Sequence, residues 1–135
     1  MKANVMRRRA NDARIAKLGT VDSKNRPHIV PCCFVIVGET LFSPVDHVKP
    51  KSNRTLKRLR NIEQQPTVTV LVDHYDEDWR ELWWIRLDGT AAVAQTSRHR
   101  GPVIELLVTK YPQYDSASFR NQLIVVQISR WTGWP

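Results

Sequence analysis

Six cations, Lys49, Lys51, Arg54, Lys57, Arg58 and Arg60, fall in one stretch whose first acid is Glu63. The stretch opens as a basic segment and then takes a helical pattern over Ser52–Gln64, with Leu56, Leu59 and Ile62 on one stripe. It stops before Pro66, because the residue preceding a proline is steered out of helical backbone. A strand, Thr67 to Val72, follows, so the cations are pinned beside a sheet and are not a free tail. Lys and Arg side chains that converge with backbone N–H groups hold phosphates and other polyanions. A solvated basic helix face is the competing interpretation. Anion or cofactor binding is the chemistry these residues offer.

Little else in the chain offers chemistry of its own. There is no recognisable triad, paired-carboxylate motif or metal-ligand spacing, so no catalytic side chain and no metal are expected. His28 and His47 are candidate proton donors or ring contacts, with a structural role as the alternative for each. His74 sits in Asp73-His74-Tyr75-Asp76, where crowded acids without a recurring ligand pattern point to a solvated or ion-paired loop. Those acids could pair with the basic helix of the same or a partner chain. Cys32 and Cys33 are adjacent, so on a strand they point to opposite faces; one buried and one outward thiol are expected.

The chain has 135 residues and a formal net charge of +8. That length predicts one domain, residues 1–135. The charge implies an acidic partner: nucleic acid, a membrane surface or an anionic small molecule. Nucleic acid is disfavoured, since aromatics and cations are not interleaved along one strand as stacking platforms require. No apolar run approaches the roughly 20 residues that span a bilayer, and the basic N-terminus lacks a signal's apolar core, so a cytoplasmic protein with no membrane contact is expected.

Residues 4–18 read as a basic amphipathic helix, although Lys2, Arg7, Arg8, Arg9, Arg14 and Lys17 read more readily as a disordered basic arm. Strands are expected from Gly19, over Pro27–Val37 and at Leu41–Ser43, with a turn at Asp22–Asn25. Pro31 marks a bulge or an edge position. Further strands are expected over Thr67–Val72, Leu82–Ala94 and Leu123–Ile128. Between the last two, a helix should start at Pro102 and bury Val103, Leu106, Leu107 and Tyr111. On the strand after Leu82, Leu82, Trp84 and Arg86 share one face, while Trp83, Ile85 and Leu87 share the other. Trp131 and Trp134 read as interface or surface packing. The order α-βββ-α-ββ-α-β with short hairpins suggests a mainly β small barrel with flanking helices.

The segments ARIAKLGTVDSKNRPHIVPCCFVI, FSPVDHVKPKSNRTLKRLRNIEQQPTVTVLVDHY and DEDWRELWWIRLDGTAAV resemble the pyridoxamine 5′-phosphate oxidase-like family of split β-barrels. The resemblance is closest to its branch of deazaflavin (coenzyme F420)-dependent oxidoreductases. It implies an FMN-binding split barrel and a homodimer with a cofactor groove at each end of the interface, lined by both chains. It also implies that the first strands run along the cofactor ring and that basic residues after the third strand hold its phosphate. Those positions correspond here to Ser43, Lys49, Lys51, Lys57 and Arg58. Pro31, Trp84 and Arg86 are further candidate cofactor contacts, with core or dimer-interface packing as the alternative for the tryptophans. An extra KPKSNR precedes the helix relative to the shorter K-x-x-N-L form, so which cation meets phosphate stays open.

The implied activity is hydride transfer between the deazaflavin, or alternatively FMN, and a small electron-poor substrate, with the chemistry supplied by the cofactor. The deazaflavin's phosphodiester and poly-γ-glutamate tail suit a wide basic surface better than FMN does. The alternative is a non-catalytic carrier of a flavin, deazaflavin or tetrapyrrole.

Overall fold

The computed structural model describes residues 1–46, 56–95, 101–115 and 119–135. Its elements are α1 (Ala3–Asp12), β1 (Ala16–Val21), β2 (Pro27–Cys32), β3 (Val35–Val37), β4 (Thr40–Asp46), α2 (Lys57–Gln64), β5 (Thr67–His74), β6 (Trp83–Gln95), α3 (Pro102–Lys110) and β7 (Phe119–Trp134). The strands form one antiparallel sheet in the order β2-β1-β5-β6-β7-β4-β3. Only Cys33 and Phe34 separate β2 from β3, yet these two strands stand at opposite ends of that order. The sheet therefore has to roll until its edges meet. The fold is a split β-barrel, mainly β, with flanking helices.

The expected single strand Pro27–Val37 is thus two strands. The chain changes partner at Cys33–Phe34, from β1 on one side to β4 on the other. Pro31 does sit on an edge strand, where a missing N–H costs least. Phe34 leaves both ladders at the crossing, so its backbone groups need other partners. The residues ending α3 supply them. Phe34 N–H donates to the Tyr111 hydroxyl at 3.0 Å, and Lys110 Nζ donates to the Phe34 carbonyl at 3.0 Å. The Tyr111 hydroxyl in turn lies 3.1 Å from the carbonyls of both Phe34 and Arg14.

This latch titrates. Burial and the nearby Arg14 charge pull the Lys110 amine down to about 8, and burial pushes the Tyr111 hydroxyl up to about 12. Unfolded Lys holds its proton to about pH 10.4 and unfolded Tyr to about pH 10. From pH 8 to about 10.4 the unfolded chain therefore binds more protons, and the Lys110 contribution to stability rises. Between about pH 10 and 12 the folded chain holds the tyrosine proton longer, and stability falls. Urea unfolding across this range should show a maximum near pH 10. Lys110→Met should flatten the rising limb and Tyr111→Phe the falling one; unchanged limbs in these variants would refute the assignment.

Two packed layers fill the fold. The barrel interior takes Ala16 and Leu18 of β1, Val68, Val70 and Val72 of β5, and Ile85 and Leu87 of β6. A second cluster, Val35, Phe42, Val103, Leu107, Tyr111, Tyr114 and Leu123, seats α3 on β3, β4 and β7. Leu106, expected to be buried, is 44% exposed, because α3 packs on its Val103–Leu107 side only. Strand β7 runs well beyond the expected Leu123–Ile128 and carries a bulge opposite Asp88 and Gly89.

The N-terminal expectation needs correction. α1 ends at Asp12 and β1 starts at Ala16, so Leu18 is a buried strand residue and not part of a helical stripe. Nor are the cations there a loose arm. Arg7 pairs with Glu39 and lies 4.5 Å over the Trp131 ring, whose Nε1–H donates to the same carboxylate. Arg9 lies over Trp83, Lys17 pairs with Asp73, and Arg14 donates to the Lys110 carbonyl. These residues brace the fold.

Candidate functional site

The described part of the basic segment is α2, which packs on β1 and β6. Leu59 and Ile62 enter the core, and so does Asn61, which donates from Nδ2 to the buried Thr20 hydroxyl at 3.0 Å. That bond fixes how α2 faces the barrel. Asn61→Ala should cost about 1–3 kcal/mol in urea unfolding, because it strands a buried hydroxyl; a loss under half of that would mean the bond does not anchor the helix.

With α2 anchored, its cations go to different places. Lys57 Nζ lies 3.7 Å from Asp22 in the β1–β2 turn. Asp22 also accepts from Lys24 N–H, Arg26 N–H and Arg26 Nε, at 2.8, 2.9 and 2.8 Å. These bonds, the Arg26 backbone donor foremost, hold its carboxyl well below the usual carboxylate range. Arg58 turns inward, and its Nε is buried with no partner among the described residues. Ser43 is 1% exposed on β4, and its Oγ has no partner among the described residues beyond the weak one offered by the Cys32 thiol. Burial pushes that thiol up, against the pull of Ser43 and the Arg58 charge. Ser43 and Arg58 therefore converge on Cys32.

Buried donors without strong partners among the described residues are groups that an anion could satisfy. Lys49, Lys51 and His47 lie outside the described residues.

Pro31, Trp84 and Arg86 fall on the other side of the sheet. Register places Pro31, Lys17, Leu71, Arg86 and Thr132 in one lateral row on the outer face of β2, β1, β5, β6 and β7. Three strand spacings separate Pro31 from Arg86, about 14 Å. The expected alternation holds, since Ile85 and Leu87 are fully buried while Trp84 and Arg86 face out. Trp84 stands opposite Trp134, and the two line an open cleft of about 400 Å³ with Leu71, Asp73, Leu82, Trp83 and Arg86. Within one chain the expected cofactor contacts thus form two groups, Ser43 with Arg58 inside and Pro31, Trp84 and Arg86 outside.

Among the other residues read from sequence, His28 is on β2 and its Nδ1 is buried without a partner among the described residues. His74 stacks on Trp83, and its Nε2 lies 3.8 Å from Asp76 Oδ2. The loop acids pair with Lys17 and Arg80, while the acid beside α2 is Asp22. Among the described residues no cluster of three or more His, Cys, Asp or Glu could hold a metal, and no helix is long and apolar enough to cross a membrane.

The sequence pattern of the pyridoxamine 5′-phosphate oxidase family matches residues 4–135, nearly the whole of this fold. The chain belongs to that family. No curated protein matches it in sequence. Solved structures show the pyridoxamine 5′-phosphate oxidase fold again at low identity. A FAD-binding protein from Mesorhizobium loti superposes with a TM-score of 0.73 at 15% identity, over 98% of this chain and 94% of that one. HutZ, the heme storage protein from Vibrio cholerae, gives 0.70 at 17%, over 97% and 89%. A protein described as an F420 reductase gives 0.67 at 16%, over 93% and 94%.

The oxidase-family pattern was visible at sequence level, but Asn61, Asp22 and Trp134 were missed as shapers of the site. Asn61 carried no such signal, because two residues beyond Leu59 it falls off the Leu56, Leu59 and Ile62 stripe and its burial is a property of the packed helix.

Proposed function

We propose that this protein is an oxidoreductase that binds the deazaflavin coenzyme F420, with FMN as the close variant, and passes a hydride between it and a small electron-poor substrate. The observation that carries this reading is the pair of buried donors, Ser43 Oγ and Arg58 Nε, which lack strong partners among the described residues. Ser43 would hold the cofactor's phosphate by hydrogen bond and Arg58 by charge, with Lys49, Lys51 and Lys57 adding positive potential around it. Lys57 contributes less than its neighbour, because Asp22 already answers its charge. The cofactor, when bound, supplies the hydride chemistry.

A homodimer completes the site in this reading. The outer sheet face has its charges matched within the chain, Lys17 with Asp73 and Arg86 with Asp88, and carries an Ile29 that is 70% exposed. Two such faces can approach without like-charge repulsion, which would bring Pro31, Trp84 and Arg86 of one copy toward the ring held by the other. Two free cysteines agree with the reducing cytoplasm. Nucleic acid has no part in it.

A second reading is a carrier of the same fold that binds a flavin, deazaflavin or tetrapyrrole without turnover. The lack of a catalytic constellation among the described residues favours it, as does the likeness to a heme storage protein. Parallel titrations of the apo-protein with the deazaflavin and FMN, followed by tryptophan fluorescence, test both readings. Arg58→Ala should weaken the preferred cofactor by about 10- to 100-fold, and Lys57→Ala by less. Binding without substrate reduction would leave the carrier, and binding of neither cofactor would remove the oxidoreductase.

A further inference from the structure

We infer that Lys110 is a modification site for carbon dioxide, whose addition to Nζ gives a carbamate held by Arg14. The amine sits partly out of water at the end of α3, 3.8 Å from the centre of the Phe34 ring and 5.4 Å from that of Tyr111. It donates to the Phe34 carbonyl at 3.0 Å. Arg14 is its neighbour: Nη2 donates to the Lys110 carbonyl at 2.6 Å, and the guanidinium lies 4.9 Å over the Tyr111 ring. The other Arg14 nitrogens have no hydrogen-bond partner among the described residues. No member of this cluster belongs to the two cofactor groups or to the outer row through Pro31 and Arg86. The inference does not rest on the cofactor reading.

The chemistry follows from what surrounds the amine. Burial and then the Arg14 charge pull it down to about 8, while Cys33, Asp12 and Cys32 act the other way and more weakly. Asp12 is the carboxylate among them, and its smaller effect leaves the local balance in favour of an added anion. An ordinary lysine, at about 10.4, is almost wholly protonated at neutral pH and has no lone pair to give. Lys110 has one. That pair bonds to the carbon of carbon dioxide, a C=O π pair moves onto oxygen, and the nitrogen releases one proton to water. Nothing is oxidised or reduced. The carbamate keeps one N–H for the Phe34 carbonyl, and its two oxygens have the carboxylate geometry that a guanidinium fork binds. Lys110 is only partly exposed, so a three-atom electrophile fits it better than a bulky acyl donor. The reaction turns a like-charge neighbour of Arg14 into an ion pair.

The test incubates the full chain with isotopically labelled bicarbonate near the amine's own pKa of about 8. Triethyloxonium ion then traps carbamates as ethyl esters, and peptide mass mapping locates them apart from the N-terminal amine. Lys110 should carry at least about tenfold more label than the exposed Lys2 and Lys24, since its neutral fraction exceeds that of an ordinary lysine by roughly a hundredfold. Arg14→Gln should lower the label at Lys110 by about two- to fivefold. The comparison is made at about pH 10, where burial keeps the amine neutral in both proteins, so a change in its titration cannot explain the loss. Arg14 is exposed, and circular dichroism should confirm that the variant folds. Label at Lys110 no higher than at Lys2 and Lys24, or an Arg14→Gln variant labelled like wild type, would overturn the inference.

A second readout needs no trapping. A modifier that favours the folded chain stabilises it, so bicarbonate should raise the urea midpoint of the wild type over chloride at equal ionic strength. Lys110→Met, which has no amine there, should show no such rise. An equal rise in both proteins would mark a general salt effect and count against the carbamate.

Discussion

Gly89→Ala should unfold the barrel or lower its stability by about 3 kcal/mol or more. A Cβ at position 89 would stand 2.2 Å from the Gln127 carbonyl oxygen, 3.0 Å from its carbon and 3.2 Å from Ile128 Cα. All three are backbone atoms of β7, at the place where the β6–β7 register slips. No side chain can swing aside, so the two strands would have to part. Gly38 makes the control. It needs its glycine for a φ of +61°, but nothing lies within 4 Å of its would-be Cβ. Its alanine variant should lose only about 1 kcal/mol, the ordinary cost of left-handed backbone. Urea unfolding of both variants decides the point, and a Gly89→Ala protein as stable as Gly38→Ala would show that the bulge can relax.

Phe34→Ala should cost about 3–5 kcal/mol. The ring is completely buried where the chain crosses from one sheet edge to the other. Its loss opens a cavity in the main core and removes the surface on which Lys110 Nζ rests, 3.8 Å from the ring centroid. The damage should therefore exceed that of an ordinary core deletion and should also blunt the pH dependence traced to Lys110. Ile29→Ala, on the exposed edge strand, should change monomer stability little. Thermal unfolding of the two variants side by side provides the comparison, and similar losses would mean that the crossing is not under tension from packing.

Period-two patterns were legible in the sequence wherever one strand face meets the core. Val68, Val70 and Val72 could be read from alternation, and so could the split of Trp84 and Arg86 from Ile85 and Leu87. Pro31 marked an edge because its backbone chemistry admits little else. The break at Cys33–Phe34 was not legible. VPCCFVIV is apolar throughout, and nothing local records where one partner strand is exchanged for another. Ile15 and Leu18 satisfy helical spacing as well as they satisfy a strand, and the barrel's need for β1 settles the matter.

The candidate site fared similarly. That residues around α2 would be cationic was plain, but the division between Lys57 and Arg58 was not. They are neighbours on one helix, and only the folded chain shows Asp22 beside the first and the core beside the second. The placement of Trp84 and Arg86 across the sheet from Ser43 is likewise a property of topology, which no motif contains.

The register of β7 has a consequence for how the chain is made. Among the described strands β7 alone joins β6 to β4, and it follows the others in the sequence. Until it is synthesised, the nascent protein can assemble only two separate pieces, the β3–β4 hairpin and the β2-β1-β5-β6 sheet. Each piece waits with an open edge, and an open edge is an invitation to pair with another chain. The growing polypeptide is thus at its most adhesive just before its last strand arrives.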